Sequence, residues 1–429
     1  MAVGKVFIVF IITLIIGLPI GISLGTTSLS ASLFNPSLPA NAEFVFRNMV
    51  TTLDSYPLLA VPLFILSGII MARGGISKKL FDFFEYFIGN MTGGMPAAVV
   101  VTCLFYGAIS GSGPATTAAV GSMTIPILVN LGYEKGFATA LVATAGGLGV
   151  IIPPSIPFIV YGLSSGASVG SLFIAGILPG ILIGLCLIIY SVYYCRTKGE
   201  DKAKISADYQ VLKAKGLWGV FKDSFWALLT PVIILGGIYG GIVTPTEAAD
   251  ISVIYSIIVS LFIYKTLKLK DIPKILKEAL NTSAPALLVV STASVFGRVL
   301  TMMQAPQMIA QGVMAITQNK ILILLLINLF LLFVGMIMET LSAILILTPI
   351  LLPIVMALGV DPIHFGVIIV VNLAIGFVTP PVGMNLYVAS GMTGLPIMEI
   401  GRKAIPFIIC FIIALLIITF IPAISLVLI

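Results

Sequence analysis

The sequence predicts an all-α polytopic membrane protein built from two inverted repeats, each with a re-entrant helical hairpin and an interrupted helix. Three observations support this fold class. The 429 residues are 59% hydrophobic and only 9% charged. The apolar residues form long continuous runs, whereas the strands of a membrane β-barrel alternate in polarity. Finally, glycines and prolines of the two halves match at one fixed offset.

The composition excludes a soluble globular protein, because soluble domains carry about 25% charged residues on average. A spanning helix needs about 20 apolar residues, so the chain has room for about ten membrane segments. The net charge of +6 does not indicate nucleic-acid binding, because the basic residues lie in short loops between apolar runs. The four cysteines form no CxxC pair, so neither a disulfide framework nor a zinc site is expected.

Taken in order, the first half begins with a predicted span at 5–25, a polar loop at 26–55 and a span at 56–73. The aromatic, amphipathic segment 77–90 is predicted to lie in the membrane interface. At 94–131 an apolar stretch is broken by Ser110-Gly-Ser-Gly-Pro114 into two arms that are short for a span, which predicts a re-entrant hairpin.

The second hairpin is predicted at 320–357, where the break is Met338-Glu339-Thr340. Two further spans are interrupted by glycine or proline, at 136–165 and at 363–391. Uninterrupted spans are predicted at 171–194, 226–243, 246–263, 282–300 and 404–427, amphipathic segments at 265–278 and 304–318, and a hydrophilic loop at 195–225.

The distribution of lysine and arginine predicts the orientation. With a cytoplasmic N-terminus, only Arg47, Arg298 and Lys320 of the 22 basic residues lie outside the cytoplasmic side. This result requires that 94–131 and 320–357 return to the side from which they start, so it supports both hairpins independently of the broken-helix pattern. The first hairpin is then the inner one, the second is the outer one, and the C-terminus faces the periplasm.

The internal repeat has a fixed offset, because Pro153-Pro154 and Pro380-Pro381 lie 227 residues apart. The same shift relates Pro126 to Pro353, Gly132 to Gly359, Gly149 to Gly376, Pro179 to Pro406 and Ser112 to Glu339. The charge rule orients the two interrupted helices oppositely, so the repeats are inverted. This architecture is typical of secondary transporters, because two inverted halves provide two near-equivalent states that open a central site to each side in turn.

The breaks are candidate Na⁺ sites, because a helix that ends inside the membrane leaves carbonyl and amide groups unpaired. Neutral carbonyl and hydroxyl oxygens suit Na⁺ better than a divalent metal, which requires several carboxylates. In the first repeat the candidates are Ser110, Gly111, Ser112, Gly113, Gly149 and Pro153. In the second repeat they are Met338, Glu339, Thr340, Gly376, Thr379 and Pro380. Two or more Na⁺ ions are therefore expected, and the alternative is tight helix packing through small residues.

Two ionisable residues lie within predicted membrane segments, where an unpaired charge is costly. Arg298 is a candidate to bind a substrate carboxylate, or its side chain extends to the membrane surface. Glu339 is a candidate Na⁺ ligand, or it accepts hydrogen bonds from nearby backbone amides. Ser155 and Asn385 are further candidates for contact with substrate.

Four motifs resemble the large membrane subunit of TRAP (tripartite ATP-independent periplasmic) transporters of the DctM/SiaM type. They are SGSGPATTAAVGSMTIP at 110–126, GLGVIIPPSIPFIVYG at 147–162, GGIYGGIVTPTEAAD at 236–250 and GFVTPPVGMNLYV at 376–388. The resemblance covers nearly the whole chain, and it implies an elevator-type, Na⁺-coupled transporter in the bacterial cell inner membrane. It also implies a separate small four-helix membrane subunit, a periplasmic substrate-binding protein and an organic acid substrate, either sialic acid or a C4-dicarboxylate.

These observations divide the chain into parts. Scaffold helices and the first arm occupy 1–93, the first-repeat transport half 94–194, the cytoplasmic loop 195–225, scaffold helices and the second arm 226–319, and the second-repeat transport half 320–429. A stand-alone Na⁺/dicarboxylate symporter is the main alternative. An intramembrane hydrolase with Ser110 or Ser112 as nucleophile would need a base, and the single histidine, His364, lies in a predicted outer loop. A channel is less compatible with inverted repeats.

Overall fold

The computed structural model describes residues 2–36, 38–317 and 319–429, and the regular secondary structure of this part is entirely helical. Eight described helical segments are long and apolar enough to cross a membrane. The first ten helices are α1 (Ala2–Ile15), α2 (Ile20–Phe34), α3 (Ala42–Leu53), α4 (Ala60–Arg73), α5 (Ile76–Ile88), α6 (Gly94–Ser110), α7 (Gly113–Asn130), α8 (Lys135–Gly146), α9 (Ile156–Ser165) and α10 (Val169–Lys198).

The second half contains eleven more helices in the described residues. They are α11 (Lys202–Lys213), α12 (Gly216–Tyr239), α13 (Pro245–Ile258), α14 (Ile272–Met302), α15 (Ala305–Ile316), α16 (Lys320–Ile337), α17 (Thr340–Ala357), α18 (Pro362–Gly376), α19 (Met384–Thr393), α20 (Ile397–Phe420) and α21 (Ala423–Leu426). Short 3₁₀ turns occur at Tyr56–Leu59, Gly147–Val150 and Leu269–Asp271, and a π-helical turn extends α13 at Val259–Ile263.

Helices α6 and α7 form a hairpin, and its two ends opposite the tip lie close together. The Glu200 carboxylate accepts hydrogen bonds from Gly93 N–H, just before α6, and from Tyr133 O–H, just after α7, at 3.1 and 2.5 Å. At the tip, Gly111 has a φ of +59°, which a residue with a Cβ rarely adopts. Ser112 then caps α7 by accepting a hydrogen bond from Ala115 N–H. The chain therefore reverses direction at the predicted Ser-Gly-Ser break.

Helices α16 and α17 form a second hairpin with the same outline. Lys320 Nζ, at the start of α16, donates to the carbonyl oxygen of Gly359, just after α17, at 3.4 Å. Glu339 caps α17 at the tip. The outer face of α16 exposes large apolar side chains, which suits contact with lipid. Those side chains are Ile321, Leu325, Leu329 and Phe333.

The helix boundaries repeat at the offset of 227 residues. Shifted by 227, α7 falls on 340–357, the extent of α17, and α8 begins where α18 begins. Tyr161 O–H, in α9, donates to the Pro362 carbonyl at the start of α18 at 2.6 Å. The first interrupted helix thus ends where the second one begins, and the two run in opposite directions. Both α8 and α18 are buried along nearly their whole length, so their breaks lie inside the protein.

The predicted single span at 5–25 is wrong, because the chain turns at Gly17, whose φ is +88°, and at Pro19. Helices α1 and α2 are antiparallel, with Lys5 Nζ lying 5.8 Å above the Phe34 ring. Gly21 of α2 lies beside Leu288 of α14, and Gly25 lies beside Thr292, so α2 and α14 run in parallel.

This hairpin changes the position of the N-terminus. The start of α1 lies at the end of the molecule towards which α14 runs, which is also the end of Arg298. The prediction that the N-terminus and Arg298 lie at opposite ends is therefore wrong.

The expected loop at 26–55 contains most of α2 and all of α3. The helix was not predicted because the segment is rich in polar residues. In α2 their hydroxyls donate hydrogen bonds to backbone carbonyls of the preceding turn. For example, Ser28 Oγ donates to the Leu24 carbonyl at 2.7 Å.

Two other segments differ from expectation. The segment 195–225, expected to be a hydrophilic loop, is helical over most of its length, in the end of α10, in α11 and in the start of α12. Helix α11 packs on the amphipathic α5, and Tyr209 O–H donates to the Tyr86 carbonyl at 3.2 Å. The predicted separate segment 265–278 instead merges into α14 from Ile272 onward.

Candidate functional site

A central cavity of about 460 Å³ brings the four breaks of the two repeats together. The first hairpin contributes its tip, the second hairpin contributes Glu339 to Ser342, and α14 forms the opposite wall. The lining residues are Ile20, Ile65, Gly111, Ser112, Pro114, Val150, Ile156, Pro157, Thr282, Pro285, Ala286, Val289, Glu339, Thr340, Leu341, Ser342, Phe377 and Met384. The inverted repeats therefore converge on one site against one helix.

In the first repeat, a cluster of oxygen atoms lies behind the hairpin tip. Ser110 Oγ and Thr116 Oγ1 are 2.8 Å apart, and Thr116 Oγ1 donates to the Ser112 carbonyl, also at 2.8 Å. Thr116 was not among the predicted site residues, although it lies one helical turn after the tip, where its side chain turns back towards the break. The predicted Ser110 and Ser112 are thus joined through a residue that the sequence motif contains but did not single out.

Glycine allows the second predicted element, the break at 147–155, to approach this cluster. A Cβ on Gly149 would lie 2.3 Å from Thr116 Oγ1 and 2.8 Å from the Ser112 carbonyl oxygen. A Cβ on Gly107 would lie 2.8 Å from the Gly149 Cα, so the hairpin arm and the break cross backbone on backbone. The same crossing occurs in the second repeat, where a Cβ on Gly376 would lie 2.3 Å from the Gly335 carbonyl.

The remaining first-repeat candidates frame this cluster. A Cβ on Gly113 would lie 3.0 Å from the Phe377 ring, so the first hairpin tip touches the break of the second repeat. Pro153 lies in the break between α8 and α9, and Pro380 takes the equivalent place between α18 and α19. The Pro153–Pro154 and Pro380–Pro381 peptide bonds are both cis.

In the second repeat, Glu339 is a helix cap. Its Oε2 accepts hydrogen bonds from Ser342 N–H at 3.1 Å and from Ser342 O–H at 3.3 Å. This local role is the alternative that the sequence left open, and Ser112 has the same role in the first repeat. Met338 precedes the cap in an extended conformation, Thr340 is buried after it, and Thr379 Oγ1 donates to the Ile375 carbonyl at 2.8 Å.

The three predicted substrate residues lie in three different places. Ser155 caps α9, and its hydroxyl donates to the Val150 carbonyl at 2.5 Å. Asn385 is buried, and its Nδ2 donates to the Ala143 carbonyl at 2.9 Å, which joins the second break to α8. Arg298 lies outside the central cavity, in a separate cavity of about 660 Å³ nearer the end of α14. The structure therefore does not bring these three residues together.

The donor atoms around the breaks fit a monovalent cation. Within the described residues, no three His, Cys, Asp or Glu side chains are grouped as a metal site. The oxygens near the first tip belong instead to hydroxyls and carbonyls. In the same part of the chain, buried Thr117 Oγ1 and Asn385 Oδ1 lack a hydrogen-bond partner, so both are free to accept a ligand. Hard oxygen donors of this kind suit Na⁺.

The family model described as the DctM component of the tripartite ATP-independent periplasmic transporter matches residues 7–424. The chain is 47% identical over 415 residues to the isethionate TRAP transporter permease protein DctMQ of Oleidesulfovibrio alaskensis, covering 97% of this chain and 64% of that protein. It is 42% identical to the C4-dicarboxylate TRAP transporter large permease protein DctM of Pseudomonas aeruginosa, covering 94% of this chain and 93% of that one.

It is 37% identical to the sialic acid TRAP transporter large permease protein SiaM of Vibrio cholerae, covering 96% of this chain and 95% of that one. Among solved structures, the Alcanivorax borkumensis YdaH transporter, whose topology is described as unusual, matches with a TM-score of 0.64 and 15% identity over 90% of both chains. That likeness shows a shared fold.

Proposed function

This chain belongs to the DctM component family of tripartite ATP-independent periplasmic transporters, and from that premise we propose that it carries an organic anion inward, coupled to Na⁺. It is a multi-pass protein of the bacterial inner membrane, as its family and its eight apolar helical segments indicate. The observation that carries the proposal is the convergence of four backbone breaks on one cavity. The stand-alone symporter is not favoured, because the matched relatives are TRAP transporter permeases.

Two or more Na⁺ ions bind beside the hairpin tips in this proposal. In the first repeat the donors come from the Ser110–Gly113 tip, Thr116 and the break from Gly149 to Pro153. In the second they come from Met338 to Thr340 and from Gly376 to Pro380. Na⁺ binding orders the tips beside Glu339, the one ionisable side chain among the described residues that line the central cavity. Na⁺ and the anion then bind with mutual support, as linkage requires.

Transport proceeds by an elevator movement. Each hairpin returns to the side of the membrane from which it enters. Together with the interrupted helices, the two hairpins move as one transport domain. Helices α1 to α4 and α12 to α14 form the scaffold, and α5 and α15 are its arms. With Arg298 at the periplasmic end, the lysine-rich segment 196–222 is cytoplasmic. The N-terminus lies at the periplasmic end. The C-terminal α21 lies at the same end, and its Ser425 hydroxyl contacts His364 Nδ1 at 3.1 Å.

The partners are a small membrane subunit and a periplasmic substrate-binding protein that delivers the anion. The substrate is a small organic acid, and the relatives carry three chemically different ones, so isethionate, C4-dicarboxylates and sialic acid are the probes to compare.

The test is uptake into proteoliposomes that contain the chain together with its small subunit and binding protein. Each radiolabelled probe is supplied with an inward Na⁺ gradient, and K⁺ replaces Na⁺ in the matched control. We expect uptake of at least one probe with Na⁺ and a loss of most of it with K⁺. Equal uptake in K⁺ would refute the coupling, and uptake without the binding protein would refute its role.

A further inference from the structure

The central cavity does not contain the positive charge that an organic anion requires. Among the described residues that line it there is no lysine or arginine, and the one ionisable side chain is the acid Glu339. Burying an anion against a carboxylate is unfavourable without a compensating cation. The substrate must therefore find positive charge elsewhere along its path, besides the bound Na⁺.

Arg298, near the C-terminal end of α14, supplies positive charge at one end of the path. Arg298, on α14, lines the cavity of about 660 Å³ together with hydroxyl residues from α3, α9 and α14. Those residues are Thr51, Thr52, Ser164, Ser294 and Thr301. The Arg298 guanidinium donates to Asn48 Oδ1, a neutral amide, and within the described chain no carboxylate pairs with it. Its positive charge is therefore available to an anion.

A second arginine lies at the opposite end. Arg73, the last residue of α4, forms an ion pair with Glu278 near the start of α14. Both residues line a cavity of about 490 Å³ that shares Ile65, Ser112 and Thr282 with the central cavity, so the two cavities are adjacent. The Arg73 charge is already neutralised, in contrast to that of Arg298.

The wall that connects these places is one face of α14. Thr282, Ala286 and Val289 line the central cavity, and Ala293 and Gly297 continue the same helical face in the cavity of Arg298. From Ala286 to Gly297 the helix rises by about 16 Å at 1.5 Å per residue. Helix α17 packs on this face, with Pro349 Cγ 3.3 Å from where a Cβ on Gly297 would lie. A sliding transport domain would therefore present the hairpin tips to Arg298.

We propose that Arg298 and the Arg73–Glu278 pair are two fixed electrostatic stations on the scaffold, which the anion meets in turn. This inference rests on the elevator transport proposed above. In the outward position the guanidinium of Arg298 binds the anion with charge-assisted hydrogen bonds. In the inward position the anion meets Arg73, which Glu278 already neutralises, so the anion is held weakly and released. The stations set the affinity on each side, and the Na⁺ gradient supplies the driving force.

The test uses the same proteoliposomes and the probe for which the wild-type protein shows Na⁺-driven uptake. Arg298→Gln should raise the external KM about tenfold or more and change kcat little, because a charge-assisted contact is lost. Arg298→Lys keeps the positive charge, so its external KM should lie between those of the wild type and Arg298→Gln. The wild-type KM should rise with ionic strength, and the KM of Arg298→Gln should rise less, since exposed charges are screened by salt. Arg47→Gln, on α3 and exposed at the same end, is the matched control.

At the other station, Glu278→Gln frees the charge of Arg73. We expect a lower kcat for uptake with an unchanged external KM, and tighter binding of the probe added from the inside. Unchanged external KM in both Arg298→Gln and Arg298→Lys, in proteins that fold with wild-type yield and Tm, would overturn the outer station. Unchanged kcat and internal affinity in Glu278→Gln would overturn the inner one. A wild-type protein that takes up none of the three probes with Na⁺ contradicts the proposed function itself, which is a separate outcome.

Discussion

Gly149→Ala directly perturbs the oxygen cluster at the first hairpin tip. The new Cβ would lie 2.3 Å from Thr116 Oγ1, 2.8 Å from the Ser112 carbonyl oxygen and 3.0 Å from Thr116 Cβ. The Thr116 side chain cannot rotate away without losing its contacts with Ser110 and Ser112, both at 2.8 Å. The break and the hairpin tip must therefore move apart.

The size of the effect follows from these contacts. Overpacking of this kind costs about 1–3 kcal/mol, and each of the two lost hydrogen bonds adds about 1 kcal/mol. If about 3 kcal/mol of this cost falls on the ion-bound form, the half-saturating Na⁺ concentration rises about 100-fold. Thr116→Val removes the hydroxyl at nearly constant volume, so it should raise the Na⁺ requirement without the steric cost.

The assay is uptake measured as a function of external Na⁺, with Tm in detergent at several Na⁺ concentrations as an independent measure of ion binding. Gly391→Ala, on α19 of the second repeat, is the matched control, because nothing lies within 4 Å of its new Cβ. Wild-type Na⁺ dependence in both Gly149→Ala and Thr116→Val would show that this cluster does not bind the ion.

Two further predictions concern acidic residues. Glu339 caps α17 through Ser342, as Ser112 caps α7 in the first repeat. Glu339→Gln should therefore keep Na⁺-driven uptake within a few-fold, whereas Glu339→Ala should lose about 1 kcal/mol of stability. Loss of Na⁺ dependence in Glu339→Gln would show that the charge itself binds the ion. On α5, burial and the nearby Asp208 and Asp82 raise the pKa of Glu85 to about 8 from an ordinary value of 4.5. The folded protein thus retains this proton where the unfolded chain has lost it, so stability should fall as pH rises through that window. Glu85→Gln should flatten the dependence of Tm on pH and be more stable than wild type above pH 8, whereas an equally steep slope would refute the assignment; the exposed Glu43→Gln is the control.

The hairpins were predictable because two independent features of the sequence agree on them. The break at Ser110 to Pro114 leaves two short apolar arms, and the positions of the lysines require that the chain returns to its starting side. The structure adds that Glu200 joins the two ends of the first hairpin. The N-terminal hairpin was missed because Ser- and Thr-rich helices have a polar composition, although their hydroxyls are paired within the helix. Charge counting could not detect it either, since Lys5 is the only basic residue before Arg47.

The candidate site was predictable as a set of segments but not as a set of atoms. The glycine at 149 signals a close backbone approach, yet its partner, Thr116, depends on how the hairpin crosses the interrupted helix. Arg298 was placed with the substrate because it is an arginine in a membrane segment, and the structure puts it in a different cavity. Ser155 caps a helix, and Asn385 donates to Ala143 on another helix.

Composition, the 227-residue repeat and the breaks within it determine the class of this protein, because local sequence controls whether a helix can span a bilayer and where it must stop. Which breaks share a cavity depends on long-range packing between the repeats. It was the folded chain that brought the tips of both hairpins against α14 and left one arginine free and the other paired. Contacts between residues hundreds of positions apart in the sequence, such as Arg73 with Glu278, have no local pattern from which they could be inferred.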